Sequence, residues 1–411
     1  MRTALIASLA ATALAAPQVQ EQLVMGNPSS AAEAVAAFDL FDKTGFEGWD
    51  LNERRLVQFE GHEPVWMTEA EKIHAKMAGM RFFDITDVGR LEDSAHLVSF
   101  MKKRKRSSFA EFGVLKLLTA YPKLSKEKFV RSTFKNLTIE GPVENLQKFT
   151  SFRTRHYRSS TGRESQLWLL NKIQETTLNF ASEKQQKAIS ISEFEHSWGQ
   201  HSIIVRINGT ESDEVVVVSA HQDSTNLLPF LPAPGADDDG SGTVTILETY
   251  RGLLAADFKP AKTVEFHWYS AEEAGLLGSQ AVAQEYQKSG VPVYAQIQFD
   301  MTAWVKKGTR EEVGIMNDFV NPDLTEFLRG LVGNYIDIPW VDTKCGYGCS
   351  DHASWTKAGY PGSCAFESAF ENDNSNVHSG NDRIDVSPEF SFEHLLHFTK
   401  IAAAFVIELA S

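Results

Sequence analysis

"EVVVVSAHQDS", Glu214 to Ser224, sets four consecutive valines ahead of a histidine and an aspartate two residues apart. β-Branched residues favour extended backbone, and an apolar run without alternation reads as a strand buried on both faces. The polar residues come only where the run stops. In sheets covered by helices, ligand sites are built at the carboxyl ends of strands. This stretch therefore predicts an α/β fold with a site just beyond the strand.

The flanking sequence repeats the pattern. Apolar runs of strand length recur in "HSIIVRI" at 201–207, "TVEFHWYSA" at 263–271 and "VYAQIQFDM" at 293–301. Helix-like segments separate or follow them at 242–257, 279–290 and 321–336, and "SFEHLLHFTKIAAAFVIELA" is an amphipathic helix at the C-terminus. Upstream, apolar residues keep helical spacing from Leu146 through Ile173. Strands alternating with helices predict three α/β/α layers around a mixed, mostly parallel sheet.

The chain has 411 residues, 42% hydrophobic, with a formal charge of −14, which argues against a general nucleic-acid or acidic-membrane binder. "MRTALIASLAATALAAPQ" places Arg2 before a short apolar run ending in Ala13-Leu14-Ala15, so residues 1–15 read as a secretory signal peptide rather than a membrane span. Residues 16–106 are polar, poor in glycine and irregularly patterned, and close on "MKKRKRSS". Behind a signal peptide, Lys105-Arg106 suits a dibasic processing protease, so 16–106 reads as a propeptide and 107–411 as the working domain. A secreted, extracellular monomer is expected. Asn136-Leu137-Thr138 and Asn208-Gly209-Thr210 are N-glycosylation acceptors. Of three cysteines, Cys345 and Cys349 can pair in an oxidising compartment, or bind zinc if two more ligands lie near; Cys364 is left as a buried apolar residue.

Acidic and histidine residues gather where strands end. His221 and Asp223 follow the first run, Glu272 and Glu273 the third, and Asp300 closes the fourth. "PGADDDGSG", Pro234 to Gly242, crowds three aspartates before a helix. Such a triplet is either a solvated turn or a cation site, because a cation removes the mutual repulsion. His352 and His378 lie further on, in "CSDHASW" and "NVHSGND". Carboxylates with one or two imidazoles suit zinc first, then manganese or cobalt. A carboxylate shared by two ions would account for the triplet, and paired metals about 3.5–4 Å apart commonly hydrolyse amides and phosphates.

In order and approximate spacing, "HQDS", "APGADDDGSG", "SAEEAGLLGS", "FDMTAW", "CGYGCSDHASW" and "FESAFENDNSNVHSGND" resemble the motifs of secreted bacterial and fungal leucyl aminopeptidases with co-catalytic zinc. The resemblance runs from about Tyr121 to the C-terminus. It implies the zinc-exopeptidase fold and two zinc ions per domain. One ion would be held by His221 and Asp300, the other by Glu273 and His378, with Asp238 between them and a cis peptide from Asp238 to Asp239. Glu272 would be the general base, Asp223 would orient His221, Asp382 would do similar work, and Tyr347 would stabilise the oxyanion. Met301, Phe366 and Phe370 would line an apolar pocket for the first side chain, and Cys345–Cys349 would be the family's disulfide. Cys364 stands where a relative has methionine, and spacing to "FESAFE" favours His378 over His352. The expected substrates are peptides with a free N-terminus, leucine and other large hydrophobic residues first; the propeptide is the other expected partner. Two alternatives share the fold: a one-zinc glutaminyl cyclase and a non-catalytic binding domain. The full ligand set argues against both, and the Glu272–Glu273 pair against the cyclase as well. A carboxypeptidase would need a well-placed arginine, and no motif supplies one.

Overall fold

The computed structural model describes residues 45–93 and 121–411. The signal-peptide reading and the Lys105-Arg106 site fall outside those residues.

The first unit is small. Strands β1 (Arg54–Phe59), β2 (Val65–Thr68) and β3 (Phe82–Asp84) form an antiparallel sheet in the order β2-β1-β3, with helix α1 (Glu69–Met77) between the last two. Thr68 and Glu71 cap α1 reciprocally, each side chain meeting the other's backbone N–H. The irregular pattern of this region conceals short strands that bury few residues.

Residues 121–411 form the second unit. Its elements are α2 (Glu127–Phe134), α3 (Glu140–Phe149), α4 (Ser160–Phe180), α5 (Glu183–Gln186), β4 (Ile189–Phe194), β5 (Ser202–Ile207), β6 (Ser212–His221), α6 (Gly242–Ala255) and β7 (Lys262–Tyr269). There follow α7 (Leu277–Ser289), β8 (Val293–Phe299), β9 (Val313–Met316), α8 (Pro322–Tyr335), β10 (Trp340–Thr343), α9 (His352–Lys357), β11 (Gly362–Phe366) and α10 (Phe392–Ala410). Eight strands make one mixed sheet in the order β10-β9-β11-β8-β6-β7-β5-β4. β6 pairs in parallel with both β7 and β8, so three strand ends emerge side by side.

The valine run explains itself here. Val216 and Val218 join the core under α6, α8 and α10, while Val215 and Val217 face the opposite core with Val282 of α7 and Trp355 of α9. Both faces are covered, so neither alternates with polar residues. α10 is apolar on nearly every side because it lies wholly inside, buried from Ile401 through Ala410.

One helix is two. The apolar spacing from Leu146 to Ile173 is interrupted after Phe149, and α4 begins only at Ser160. Ser159 Oγ accepts the Gly162 N–H at 2.9 Å, an N-cap that starts a new helix. Apolar residues inside the break, such as Tyr157, are buried against other elements, so they keep the spacing without the helix.

The small unit docks on the large one beside the ends of β6 and β7. Asp84 N–H donates to the Gly275 carbonyl at 3.1 Å and Ser160 N–H to the Gly45 carbonyl at 2.7 Å. Arg158 Nη2 reaches Glu53 at 3.0 Å and Glu69 at 3.1 Å. Phe46, Leu51, Ala70 and Ile73 pack against Leu228 and Phe230. Buried beneath, Asp84 Oδ2 holds Arg55 Nε at 2.9 Å and Lys72 Nζ at 2.8 Å. Among the described residues no helix is long and apolar enough to cross a membrane.

Candidate metal centre and active site

His221 is the last residue of β6; Glu272 and Glu273 follow β7; Asp300 follows β8. The turn Ala236–Ser241, which leads into α6, brings in Asp238, and the loop between β11 and α10 brings in His378. His221 Nε2 lies 3.2 Å from Asp238 Oδ1, 3.5 Å from Asp300 Oδ1 and 3.9 Å from Glu272 Oε2. His378 Nε2 lies 3.0 Å from Asp238 Oδ2 and 3.0 Å from Glu273 Oε2. The two oxygens of Asp238 are thus divided between two imidazoles.

The donors form two overlapping groups, His221–Asp238–Asp300 and Asp238–Glu273–His378, each with its ligand atoms within 4.8 Å of one another. His221 Nε2 and Glu273 Oε1 are buried without a hydrogen-bond partner. Burial disfavours charge on the His221 ring, yet Asp300, Glu272 and Asp239 hold its pKa well above the usual range. Surroundings that favour a proton so strongly also favour a metal cation. His352 belongs to neither group. It is buried in α9, where burial pulls its pKa down to about 4.

The three aspartates do different work. Asp239 ties strand ends together: its Oδ2 accepts the His221 N–H at 3.0 Å, and its Oδ1 accepts from Gly242 at 2.9 Å and Met301 at 3.1 Å. Asp237 accepts the Ala303 N–H and the Asn374 side-chain amide, both at 3.1 Å. Asp238 alone faces both histidines, and the Asp238–Asp239 peptide is cis. Asp223 sits behind them, its Oδ1 3.5 Å from His221 Nδ1, while its carboxylate accepts the N–H groups of Glu272 at 3.1 Å and Glu273 at 3.3 Å. The hydrogen bonds of Asp382 differ from the sequence expectation: they go to the N–H groups of Asp237 and Asp238, each at 3.0 Å, and so brace the triplet rather than an imidazole ring.

Residues 202–406 match peptidase family M28. Leucine aminopeptidase 1 of Coccidioides posadasii (strain C735) is 42% identical over 393 residues, covering 93% of this chain and 95% of the relative. That of Trichoderma harzianum is 43% identical over 365 residues, 86% of each chain. The chain belongs to peptidase family M28. Among solved structures, the Legionella pneumophila LapA aminopeptidase superposes with a TM-score of 0.74 at 27% identity, over 87% of this chain and 98% of that one. Porphyromonas gingivalis glutaminyl cyclase shares the fold, with a TM-score of 0.51 at 17% identity over 66% of this chain and 99% of that one. The chain is accordingly a metallo-aminopeptidase of the hydrolase class.

In this M28 peptidase a cavity opens beside the two donor groups. Met301, Phe366 and Phe370 line it with Cys364, the position the resemblance matched to a relative's methionine, and with Met316 and Val377, which sequence reasoning did not assign to it. The Phe366 and Phe370 rings are 5.7 Å apart. Tyr347 lines the cavity as well, in the loop closed by the Cys345–Cys349 disulfide. Asn208 is exposed and Asn136 half-buried.

The small unit supplies the cavity's roof through Lys76, Met80, Arg81 and Phe82. Lys76 Nζ lies 2.6 Å from Glu273 Oε2 and donates to the Glu273 carbonyl at 2.7 Å; the Arg81 guanidinium lies 5.3 Å from the Tyr347 ring centre. Neither basic residue carries a local pattern that a sequence could reveal. Asn374 and Arg155 were missed for the same reason, whereas Asp239 was seen only as a member of the triplet.

Proposed function

We propose that the chain is a secreted dizinc aminopeptidase that releases N-terminal residues, leucine and other large hydrophobic ones first, from peptides and proteins. The observation that carries this reading is Asp238, whose two oxygens each face a different histidine at 3.2 and 3.0 Å. His221 and Asp300 would hold one ion and Glu273 and His378 the other, with Asp238 common to both. Bound zinc supplies Lewis acidity and a water of lowered pKa.

The protein's own groups divide the remaining work. Burial lifts the Glu272 carboxyl well above the ordinary range, with Glu273 and Asp300 adding and His221 opposing, as suits a base that takes a proton from water. The hydroxyl of Tyr347, which lines the cavity, would donate to the developing oxyanion. Met301, Met316, Phe366 and Phe370 give an apolar side chain a dry place to sit, worth about 1.5–3 kcal/mol when fully buried. The surrounding carboxylates offer opposite charge to a free α-amine, which restricts cleavage to the first peptide bond.

In the same reading, residues 1–15 are a signal peptide and 16–106 a propeptide, the mature protein is a monomer, and Asn136 and Asn208 carry glycans. Support for an inhibitory propeptide comes from Lys76, whose ammonium stands against Glu273 in the cavity. The test is to purify processed protein and compare leucyl-p-nitroanilide with its N-acetylated form, before and after chelation. Cleavage confined to the free amine, lost with chelator and restored by zinc, is the expected result. Equal cleavage of the acetylated substrate would refute it.

A further inference from the structure

Arg155 lies in the break between α3 and α4, and its side chain is wholly buried. Nε donates to the Gln222 carbonyl at 2.9 Å, Nη2 to the Gly235 carbonyl at 2.8 Å, and Nη1 to the Pro234 carbonyl. Its backbone N–H donates to Ser224 Oγ at 3.0 Å, and Ser224 Oγ donates onward to the Ala233 carbonyl at 2.8 Å. The guanidinium carbon stands 4.2 Å from the Phe149 ring centre, which fixes the plane of the group.

These contacts have a common geometry. Gln222 follows the candidate ligand His221, and Pro234 and Gly235 come just before the aspartate triplet. One planar fork therefore joins the point where the chain leaves β6 to the point where it returns with Asp238. The approach is close: a Cβ on Gly235, whose φ is +54°, would fall 2.8 Å from an Arg155 nitrogen. Burial lowers the Arg155 pKa to about 10, against the pull of Asp382, Asp223, Asp239 and Asp238, so it stays charged at neutral pH. A fixed cation thus stands directly behind the acidic ligands.

We propose that Arg155 is a positioning residue for the metal centre, holding His221 and Asp238 at the spacing that sets affinity for the ion. The inference rests on the metal-dependent reading above. Residues that orient ligands from behind typically change metal affinity about 10- to 100-fold when altered. Lysine keeps the charge but loses the planar three-carbonyl fork.

The experiment measures zinc affinity of the full chain by competition with a chromophoric chelator, for the unaltered chain, Arg155→Lys and Ser224→Ala, alongside thermal unfolding of the metal-free forms. The expected result is about 10- to 100-fold weaker zinc binding in Arg155→Lys and a smaller loss in Ser224→Ala. A purely structural role would lower the metal-free Tm and leave the zinc dissociation constant of folded protein unchanged, and that outcome overturns the proposal. Should Arg155→Lys fail to fold, Ser224→Ala decides on the same readout, unchanged affinity again overturning it. An unaltered chain that binds no zinc tightly defeats the metal reading itself, a result distinct from equal affinities in all three.

Discussion

Glu272 and Glu273 are neighbours in sequence with opposite electrostatic settings. Burial pushes the Glu272 carboxyl well above its usual pKa, whereas Glu273, equally buried and close to Asp238, is brought down to about 2 by His378 and Lys76. Titratable pairs whose environments drive them apart divide acid–base work from charge-holding work. Glu272→Gln should cut turnover by about 10²–10⁴ while zinc content by elemental analysis stays unchanged. Glu273→Gln should lose zinc along with activity. The residues facing the centre were legible because each sits at a strand end or in a long motif. Asp237 and Asp239 were only half legible: the triplet was visible, but not that its outer members hold backbone while the middle one faces the two histidines. Lys76 and Arg155 were not legible at all, since a single basic residue looks alike whether it lies on a surface or against a buried carboxylate.

At the scale of elements, strands β5 to β8 were legible, whereas β4, β9, β10 and β11 and the break before α4 were not. Strands covered on both faces carry an unbroken apolar run, which periodicity detects. The break keeps helical spacing because its own apolar residues are buried too, so the pattern passes through without interruption. In the small unit, α1 carries Lys76 to Glu273, a charge-assisted contact between two largely buried groups. Such bonds contribute about 1.5–3 kcal/mol. Lys76→Met in the uncut chain should therefore raise residual hydrolysis of leucyl-p-nitroanilide about ten- to a hundredfold. No increase would mean that the roof residues Met80, Arg81 and Phe82 exclude substrate without it.

Over the whole molecule, the attachment of the small unit should depend on pH. His156 packs between the units at a tilt, its ring centre 5.2 Å from that of Phe46 and 5.1 Å from that of Trp49, and its Nδ1 accepts the Arg158 N–H at 3.3 Å. Burial, with Arg158 and Lys76 nearby, depresses its pKa from 6.5 to about 3. A histidine buried neutral contributes stability that is intact above 6.5 and is lost as pH falls toward 3, at about 1.4 kcal/mol per unit. Within the small unit itself, Asp84 adds a loss of fold stability lower down. Burial opposes ionisation, but Lys72 and Arg55 hold its pKa near about 2, so its contribution is intact above 3.8 and fades below. Size exclusion of chain cut between the units should show the small unit retained at pH 7 and increasingly shed below pH 6; His156→Phe should flatten the upper part of that dependence.

The docking of residues 45–93 has a practical corollary. Hydrogen bonds, the Arg158 ion pairs to Glu53 and Glu69 and an aromatic seam hold that unit in place, and none of them depends on a covalent connection through residues 94–120. If residues 16–106 are the propeptide proposed above, scission and unmasking are separate events. A preparation can run as two bands on a denaturing gel and still be silent toward substrate, its activation clock starting only when the smaller fragment is digested or washed away.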